Sequence, residues 1–352
     1  MQRGCPVAVE TAGYVPVKSR ELPAGGNVVA LCGGVGGAKL ALGLDSLLNR
    51  PGKGKLTVAV NCGDDFQHLG LHISPDLDTV LYSLGGLSDP VRGWGRAGET
   101  WNFMAAMQEL GGDTWFSLGD RDLALHVERT RRLREGESLT AIVNDMARRL
   151  AVQTSILPMS EDPVRTIVHT TQGDLPFQNY FVQHACKPPV TGISFSGAAQ
   201  AKPNPLLLEA LADSNLAAIV ICPSNPYLSI DPILAIPGVR EALRQAAAPV
   251  IAVSPLVGGR AVKGPTAKIM EEMGIRADTV SIADHYRDLV DGMVIDECDA
   301  ADAHQIGMPV AISRTLMQSD RDKQLLAQAV LSFARSVARS KAAPALAAGG
   351  MR

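Results

Sequence analysis

Four aspartates lie close together in the sequence, in two short polar motifs. The motifs are NCGDD at residues 61–65 and SPDLD at residues 74–78. Carboxylates grouped in this way most readily hold Mg²⁺, which takes oxygen ligands and bridges to substrate phosphates, and a spare carboxylate could accept a proton from an alcohol. Helix capping is the alternative for Asp76, because Pro75 can occupy the first turn of a helix that Ser74 caps. The carboxylates are Asp64, Asp65, Asp76 and Asp78.

A glycine-rich loop precedes these motifs and follows an apolar run. In VVALCGGVGGAKL the run breaks into glycines, with Lys39 close behind. Glycines let the backbone approach an anion, and the N-terminus of the following helix offers unpaired N–H groups. The loop is not a Walker A motif, because Ala38 and Leu40 stand where that motif requires glycine and a hydroxyl. Tight packing of strand on helix, without a ligand, is the alternative. The glycines are Gly33, Gly34, Gly36 and Gly37.

Two middle segments carry aromatic and charged groups. Trp94 and Trp101 flank a polar, glycine-rich stretch, where an indole can stack on a flat ring, although core packing is an equal alternative. The segment LGDRDLALH supplies Asp120, Arg121, Asp122 and His126. Arg121 could clamp a phosphate through two hydrogen bonds or form a buried ion pair.

Polar groups also follow two later apolar runs. Ser224 and Asn225 lie between two prolines in CPSNP, where a rigidly held asparagine could bind a nucleobase or ribose edge or only satisfy local backbone. The segment SPLVGGRAVKGP repeats the arrangement and supplies Lys263. Both segments therefore extend the predicted ligand site.

The elements that must position these side chains are predicted from short apolar runs rich in β-branched residues. The runs alternate with segments of helical period, which indicates a parallel sheet. Because they are nearly continuous, both faces of the sheet should be covered, as in a doubly wound, Rossmann-like α/β fold that binds ligands at its strand ends. The runs lie at residues 27–32, 56–62, 217–226, 249–258, 292–297 and 309–313.

One segment interrupts this alternation. Residues 155–202 are aromatic and β-rich, and we expect them to form a smaller inserted lobe that acts as a lid. Around it, residues 27–154 and 203–340 are predicted to form the core. Residues 1–26 and 341–352 are predicted to be loose ends.

Composition excludes several classes of function. The 352 residues carry a net charge of −3, so nucleic acid is not expected as a partner. The six cysteines form no CxxC pair and are expected to be reduced. No apolar run reaches the roughly 18 residues of a membrane span, and no signal peptide is evident, which predicts a cytoplasmic protein without a membrane partner. Dispersed histidines disfavour zinc, and the absence of GxSxG disfavours a serine hydrolase.

The motifs together resemble the 2-phospho-L-lactate transferase family of coenzyme F420 biosynthesis. The resemblance is ordered along the chain and covers residues 27–335. The motifs that carry it are CGGVGGAKL, NCGDD, SPDLDTVLY, RGWG with ETWN, LGDRDLALH, ILPMSEDPV, FQNYFV, PSNPYLSIDPIL and SPLVGGRAVKGP.

This resemblance implies a specific group transfer. A guanosine-diphosphate-activated acid would give its phospholactyl, phosphoenolpyruvyl or phosphoglyceryl group to the ribityl hydroxyl of the deazaflavin precursor Fo, and GMP would leave. Such a reaction needs stabilised phosphate charge, in-line positioning and a base near the alcohol. The resemblance further implies Mg²⁺ as cofactor and a homodimer.

The same resemblance distributes roles over individual residues. Asp65, Asp78 and Arg121 are implied to be catalytic, and Asp65, Asp76 and Asp78 to hold Mg²⁺. The glycine loop and later segments are assigned to the donor, and the tryptophans to Fo. The implied substrate-binding residues are Gly33, Gly34, Gly36, Gly37, Lys39, Asp64, Trp94, Trp101, Asn102, Asp120, His126, Ser224, Asn225, Gly258 and Lys263.

Two other functions compete with this one. A related family of nucleotide-sugar-binding regulators, linked to gluconeogenesis, resembles the chain in its glycine loop, but the LGDRD and PDLDT motifs speak against it. An NAD-dependent oxidoreductase is disfavoured, because the glycine loop is not a clean GxGxxG.

Overall fold

The computed structural model describes the backbone of residues 25–349 and the side chains of residues 25–340. Most of the predicted N-terminal segment, residues 1–26, lies outside these described residues. Within the described part, no helix is long and apolar enough to cross a membrane.

Seven of the strands in the described residues form one sheet, in the order β14-β13-β10-β9-β1-β2-β5, and all its pairings are parallel. The strands, in chain order, are β1 (Asn27–Cys32), β2 (Leu56–Val60), β3 (Phe66–His68), β4 (Leu71–Ile73), β5 (Ser155–Pro158), β6 (Arg165–Thr170), β7 (Gly173–Pro176), β8 (Val190–Ser196), β9 (Leu216–Ile221), β10 (Val250–Val253), β11 (Leu256–Val257), β12 (Arg260–Ala261), β13 (Gly292–Ile295) and β14 (Val310–Ile312).

The central strands are buried along almost their whole length. In β1, Ala30, Leu31 and Cys32 are fully inaccessible to solvent, which matches the continuous apolar runs and requires cover on both faces. The predicted doubly wound α/β fold is therefore confirmed, and all six predicted runs supply a strand of this sheet.

Helices flank the sheet. The longest, α11, packs along α1 and contacts β9, β10 and β13. The helices are α1 (Gly34–Leu48), α2 (Pro75–Leu84), α3 (Asn102–Glu109), α4 (Asp120–Arg134), α5 (Leu139–Arg149), α6 (Pro205–Leu211), α7 (Asp231–Leu234), α8 (Val239–Gln245), α9 (Thr266–Glu272), α10 (Thr279–His285) and α11 (Asp320–Gly349).

Two predicted boundaries need correction. Residues 155–158, assigned to the inserted lobe, form β5 at the edge of the central sheet, paired with β2. Residues 341–349, assigned to a loose tail, continue the backbone of α11.

The inserted β-rich lobe begins after β5. It contains a three-stranded antiparallel sheet in which β6 lies between β7 and β8. A short π-helical turn, Asn179–Gln183, follows β7. The role of this lobe as a lid stays a prediction.

Candidate active site

A cleft of about 530 Å³ opens at the carboxyl ends of the central strands. The strand register aligns these ends, because Cys32 of β1 pairs with Val60 of β2 and Leu31 pairs with Ile221 of β9. The segments that follow these strands therefore meet at one edge of the sheet. The predicted site residues that line the cleft are Gly33, Gly34, Gly36, Lys39, Asp64, Asp76, Asp78, Trp94, His126, Ser224, Asn225 and Lys263.

The glycine loop connects β1 to α1 and is held by the segment after β9. The Gly33 N–H donates to Ser224 Oγ at 3.1 Å, and the Ser224 hydroxyl donates to the Gly33 carbonyl at 2.8 Å. Gly34 has a φ of +61°, a left-handed conformation that favours glycine. Its N–H donates to Asp76 Oδ1 at 2.7 Å. The loop thus brings the start of α1 against a carboxylate of α2.

Asp64 and Asp76, which we call the strand-edge pair, lie at this point. The Asn61 amide donates to Asp64 Oδ1 at 3.1 Å and to Asp76 Oδ2 at 2.9 Å. Burial and mutual repulsion raise the pKa of Asp64, and burial raises the pKa of Asp76 to about 6. Among the described residues, no arginine, lysine or histidine forms an ion pair with either carboxylate. The chain leaves the charge of this pair uncompensated.

A second buried group, the α2–α4 cluster, comprises Asp78, Tyr82, Asp122, His126 and Arg129. The Arg129 guanidinium donates to both oxygens of Asp78, with Nη1 to Oδ2 at 3.1 Å. The Tyr82 hydroxyl donates to Asp122, and His126 Nε2 lies 3.3 Å from Asp122 Oδ2. Burial alone would lower the pKa of Arg129, but the Asp78 carboxylate more than offsets it, so the pKa is raised. This cluster therefore contains its own counterion.

The sequence analysis named Asp122 beside Arg121 without assigning it a role, and it did not predict Tyr82 or Arg129 as site residues. Asp78 and Tyr82 are four positions apart on α2, while Asp122, His126 and Arg129 follow the spacing i, i+4, i+7 on α4. Such spacings place side chains on one face of a helix. Helical periodicity of the polar residues was the signal that could have found them.

The α2–α4 cluster also has the composition of a metal site. One ligand atom each of Asp78, Asp122 and His126 lies within 4.8 Å of the others. Arg129, however, occupies both oxygens of Asp78, and its positive charge opposes a neighbouring cation. The strand-edge pair, with no such cation, fits Mg²⁺ better.

An aromatic wall lines another part of the cleft. Trp94 is 49% exposed there, and Phe116 contributes from the segment before α4. The inserted lobe adds Phe177 and Phe181, which stack with ring centroids 5.3 Å apart. Phe177 and Phe181 belong to the motif FQNYFV, but neither they nor Phe116 were predicted as site residues, because the motif does not show which way its side chains point. A flat, partly apolar ligand would fit against this wall.

Two lysines and one amide also line the cleft and supply polar groups to it. Lys39 Nζ donates to the Met317 carbonyl at 2.9 Å, and burial together with nearby Lys263 lowers the pKa of Lys39. Lys263 is exposed and lies 3.3 Å from the Gly93 carbonyl. Asn225 uses its Oδ1 to accept backbone N–H groups, while its Nδ2 is buried without a partner. These donors suit an anionic, hydrogen-bonding ligand.

Residues 28–330 match the family model described as 2-phospho-L-lactate transferase CofD. The chain belongs to the CofD family. Membership makes it a transferase of coenzyme F420 biosynthesis, as the motifs predicted.

Named relatives agree with this membership. A phosphoenolpyruvate transferase from Kitasatospora aureofaciens is 42% identical over 78% of this chain and 86% of its own length. A 2-phospho-L-lactate transferase from Methanosarcina mazei is 38% identical over 86% of this chain and 99% of its own. A solved UPF0052 family structure from Bacillus halodurans shares the fold, with a TM-score of 0.57 and 17% identity over 87% of this chain and 98% of that one.

In this CofD-family chain, Asp65 lies behind the cleft and does not line it. Its Oδ2 accepts hydrogen bonds from Ser74 at 2.8 Å and pairs with His72 Nε2 at 3.1 Å. Its Oδ1 is buried without a partner. Ser74 precedes α2 but forms no side-chain cap there, since its hydroxyl is directed to Asp65. The geometry therefore favours Asp64 over Asp65 for contact with a ligand.

Asp120 and Asn102 also lie outside the cleft lining. Asp120 accepts hydrogen bonds from Asn102 N at 3.1 Å and Phe103 N at 3.0 Å, so it caps the start of α3. The Thr100 hydroxyl, with these N–H groups, lowers the pKa of Asp120 to about 2. This aspartate orients α3 rather than facing the ligand site.

Arg121 is exposed at the start of α4, away from the cleft lining. Its backbone N–H and that of Asp122 donate to the Glu99 carboxylate at 2.8 and 2.9 Å. Glu99 thus caps α4. The structure does not bring the Arg121 guanidinium, predicted as catalytic, to the other site residues.

Three further predicted residues serve packing or loop geometry. Trp101 packs in a small apolar cluster with Met104. Gly37 has no room for a side chain, because a Cβ there would lie 2.5 Å from Ser224 Oγ. The Gly258 N–H donates to Asp299 Oδ2 at 3.0 Å. None of the three lines the cleft.

Proposed function

We propose that the protein transfers a phospholactyl, phosphoenolpyruvyl or phosphoglyceryl group from a guanosine-diphosphate-activated donor to the ribityl hydroxyl of Fo. The hydroxyl oxygen attacks the phosphorus atom of the donor's acid group. The phosphoanhydride bond breaks, GMP leaves with the electron pair, and a phosphodiester forms while the hydroxyl proton passes to a base.

The observation that carries this proposal is the double character of the cleft. One part is built from the glycine loop, Ser224 and Asn225, and another is the aromatic wall, all around one opening. Backbone N–H groups and amides suit a nucleotide, whereas an aromatic wall suits a deazaflavin ring. A transferase of this kind must hold both substrates in one site.

We assign Mg²⁺ to the strand-edge pair. Asp64 and Asp76 are buried oxygen ligands whose raised pKa values report unfavourable ionisation, and a divalent cation would stabilise their charged forms. The ion would neutralise phosphate charge during transfer. Asp64 here replaces the predicted ligand Asp65, and we leave Asp78 out of the metal site because the positive charge of Arg129 beside it opposes a second cation.

Asp78 is the carboxylate that we assign to the reacting hydroxyl. It lines the cleft, whereas Asp65, the other predicted base, does not. A carboxylate so held can orient the hydroxyl and accept its proton. The homodimer and the cytoplasmic location stay predictions.

The proposal is tested by incubating purified protein with Fo, Mg²⁺ and each of the three activated acids in turn. We expect GMP and a new deazaflavin phosphodiester, both identified by mass, with at least one donor. Reactions without Fo control for donor hydrolysis. Folded protein that binds a guanosine donor but yields no product with any acid would contradict the proposal and favour a regulatory nucleotide-binding role.

A further inference from the structure

Arg129 is a fully buried arginine beside the cleft, with a relative accessibility of 0%. Its neighbours include Asp78, which lines the cleft and is itself 5% exposed. Burying a guanidinium is costly, and well-packed apolar residues often replace a buried ion pair without loss of stability. Stability alone therefore does not explain why the Arg129 guanidinium is buried at this position.

The contact with Asp78 is of the kind that fixes a side chain. Two guanidinium nitrogens donate to the two oxygens of one carboxylate, which sets both the position and the plane of that carboxylate. Asp78 belongs to α2 and Arg129 to α4, so the pair also fixes the distance between these helices. A lysine could supply the charge but not the planar fork.

Other members of the cluster lie close to Asp78 without hydrogen-bonding to it. His126 Nδ1 lies 3.7 Å from Asp78 Oδ2 and His126 Nε2 lies 3.3 Å from Asp122 Oδ2, and Tyr82 donates a hydrogen bond to Asp122. Within the cluster, the polar side chains around Asp78 come from one face of α4, which carries Asp122, His126 and Arg129, or from the next turn of α2, which carries Tyr82.

We propose that Arg129 is a positioning residue that acts through Asp78. It orients the carboxylate at the cleft wall, so that the carboxylate can contact the acceptor hydroxyl. This inference rests on the proposed transfer reaction, and it assigns to Arg129 no contact with substrate.

The test is a double-mutant cycle in steady-state kinetics, with Asp78→Asn, Arg129→Met and the double variant. We expect Asp78→Asn to lower kcat on the order of 10²-fold and Arg129→Met to lower it at least about tenfold, while KM for the donor changes less than about threefold. Because both changes disable the same carboxylate, the double variant should be no slower than Asp78→Asn.

Arg132→Met is the matched control. Arg132 lies one turn further along α4 and pairs with Glu137 and Asp145 at 2.7 and 2.8 Å, outside the cleft lining. The substitution Arg132→Met removes arginine ion pairs from the same helix, and we expect the kcat of this variant to equal that of wild type.

Arg129→Lys keeps the charge and covers the case in which Arg129→Met does not fold. We expect a kcat between those of wild type and Asp78→Asn. Wild-type kcat in Arg129→Lys, or multiplied losses in the double variant, would overturn the positioning role. An inactive wild type would instead overturn the proposed function, so the two failures are distinct.

Discussion

Two groups of buried carboxylates share the cleft, and they differ in how their charge is balanced. In the α2–α4 cluster, Arg129 pairs with both oxygens of Asp78. In the strand-edge pair, Asp64 and Asp76 receive only neutral hydrogen bonds, from the Asn61 amide and from a backbone N–H. The first group contains an arginine as counterion. The second receives no positive charge from the described residues, and Mg²⁺ is the counterion that we propose for it.

This difference separates two tasks that the sequence could not tell apart. A carboxylate with its own arginine can be held rigidly in the ligand-free protein. Carboxylates without a cation are ready to bind a metal and, through it, a phosphate. Of the four aspartates in the two acidic motifs, Asp78 belongs to the cluster that contains an arginine. Asp64 and Asp76 form the strand-edge pair to which we assign Mg²⁺, and Asp65 belongs to neither group.

The largest expected effect on stability comes from removing the carboxylate that pairs with Arg129. Asp78→Asn leaves a buried guanidinium uncompensated, and we expect it to lower the free energy of unfolding by about 3–5 kcal/mol. We expect a smaller loss from Asp76→Asn, because its amide oxygen can still accept the Gly34 N–H, although its NH2 group would face the Asn61 Nδ2 donor. Urea unfolding of both variants measures the contrast. Equal losses of unfolding free energy in Asp78→Asn and Asp76→Asn would contradict the distinction between the two groups of carboxylates.

The pH dependence of stability gives the next largest effect. The pKa of Asp76 is raised from 3.8 to about 6, so the folded state binds this proton more tightly than the unfolded state. The resulting stabilisation is full below about pH 4 and is lost as pH rises to about 6. At about 1.4 kcal/mol per pKa unit, the loss amounts to about 3 kcal/mol.

This loss is measured as the difference in unfolding free energy between wild type and Asp76→Asn, without Mg²⁺. The difference cancels titrating groups that do not interact with Asp76, whereas Asp64, whose pKa the Asp76 charge raises, contributes to it. Adding Mg²⁺ should restore the stability of wild type above about pH 6. A difference that does not change with pH would show that Asp76 ionises without cost.

The smallest expected effect concerns an aspartate outside both groups. Asp120→Ala removes the cap of α3, and we expect the Tm to fall by about 2–4 °C. Because Asp120 does not line the cleft, kcat should equal that of wild type. Thermal unfolding and turnover of the same preparation check both values. A loss of turnover would show that Asp120 contributes to the active site.

The sequence predicted the sheet well where strands are continuous apolar runs. β1 and β9 are such runs. Almost all of their residues are buried, as in a strand covered on both faces, and neither run shows the apolar period of a helix. β5 was missed because Ser155–Pro158 is only four residues long and leads directly into the β-rich lobe. Its membership in the central sheet depends on pairing with β2, which lies far away in sequence.

The site was predictable where residues directly follow strands and not where they lie on helices. Asp120, Arg121 and Asp122 are consecutive, but successive helical residues point about 100° apart. Only Asp122 of the three lines the cleft, because the packing of α4 on the hairpin β3–β4 and on α5 sets its rotation. Arg129 depends on the same packing. Similarity to the motifs of a family does not predict how α4 is rotated about its axis.

Titration calorimetry of Mg²⁺ tests the central distinction most directly. Wild type, Asp76→Asn and Asp78→Asn are compared at about pH 8, where Asp76 is ionised, after circular dichroism shows each to be folded. We expect Asp76→Asn to weaken Mg²⁺ binding by more than about tenfold and Asp78→Asn to change it by less than about threefold. The reverse pattern would place the cation in the α2–α4 cluster and contradict the account.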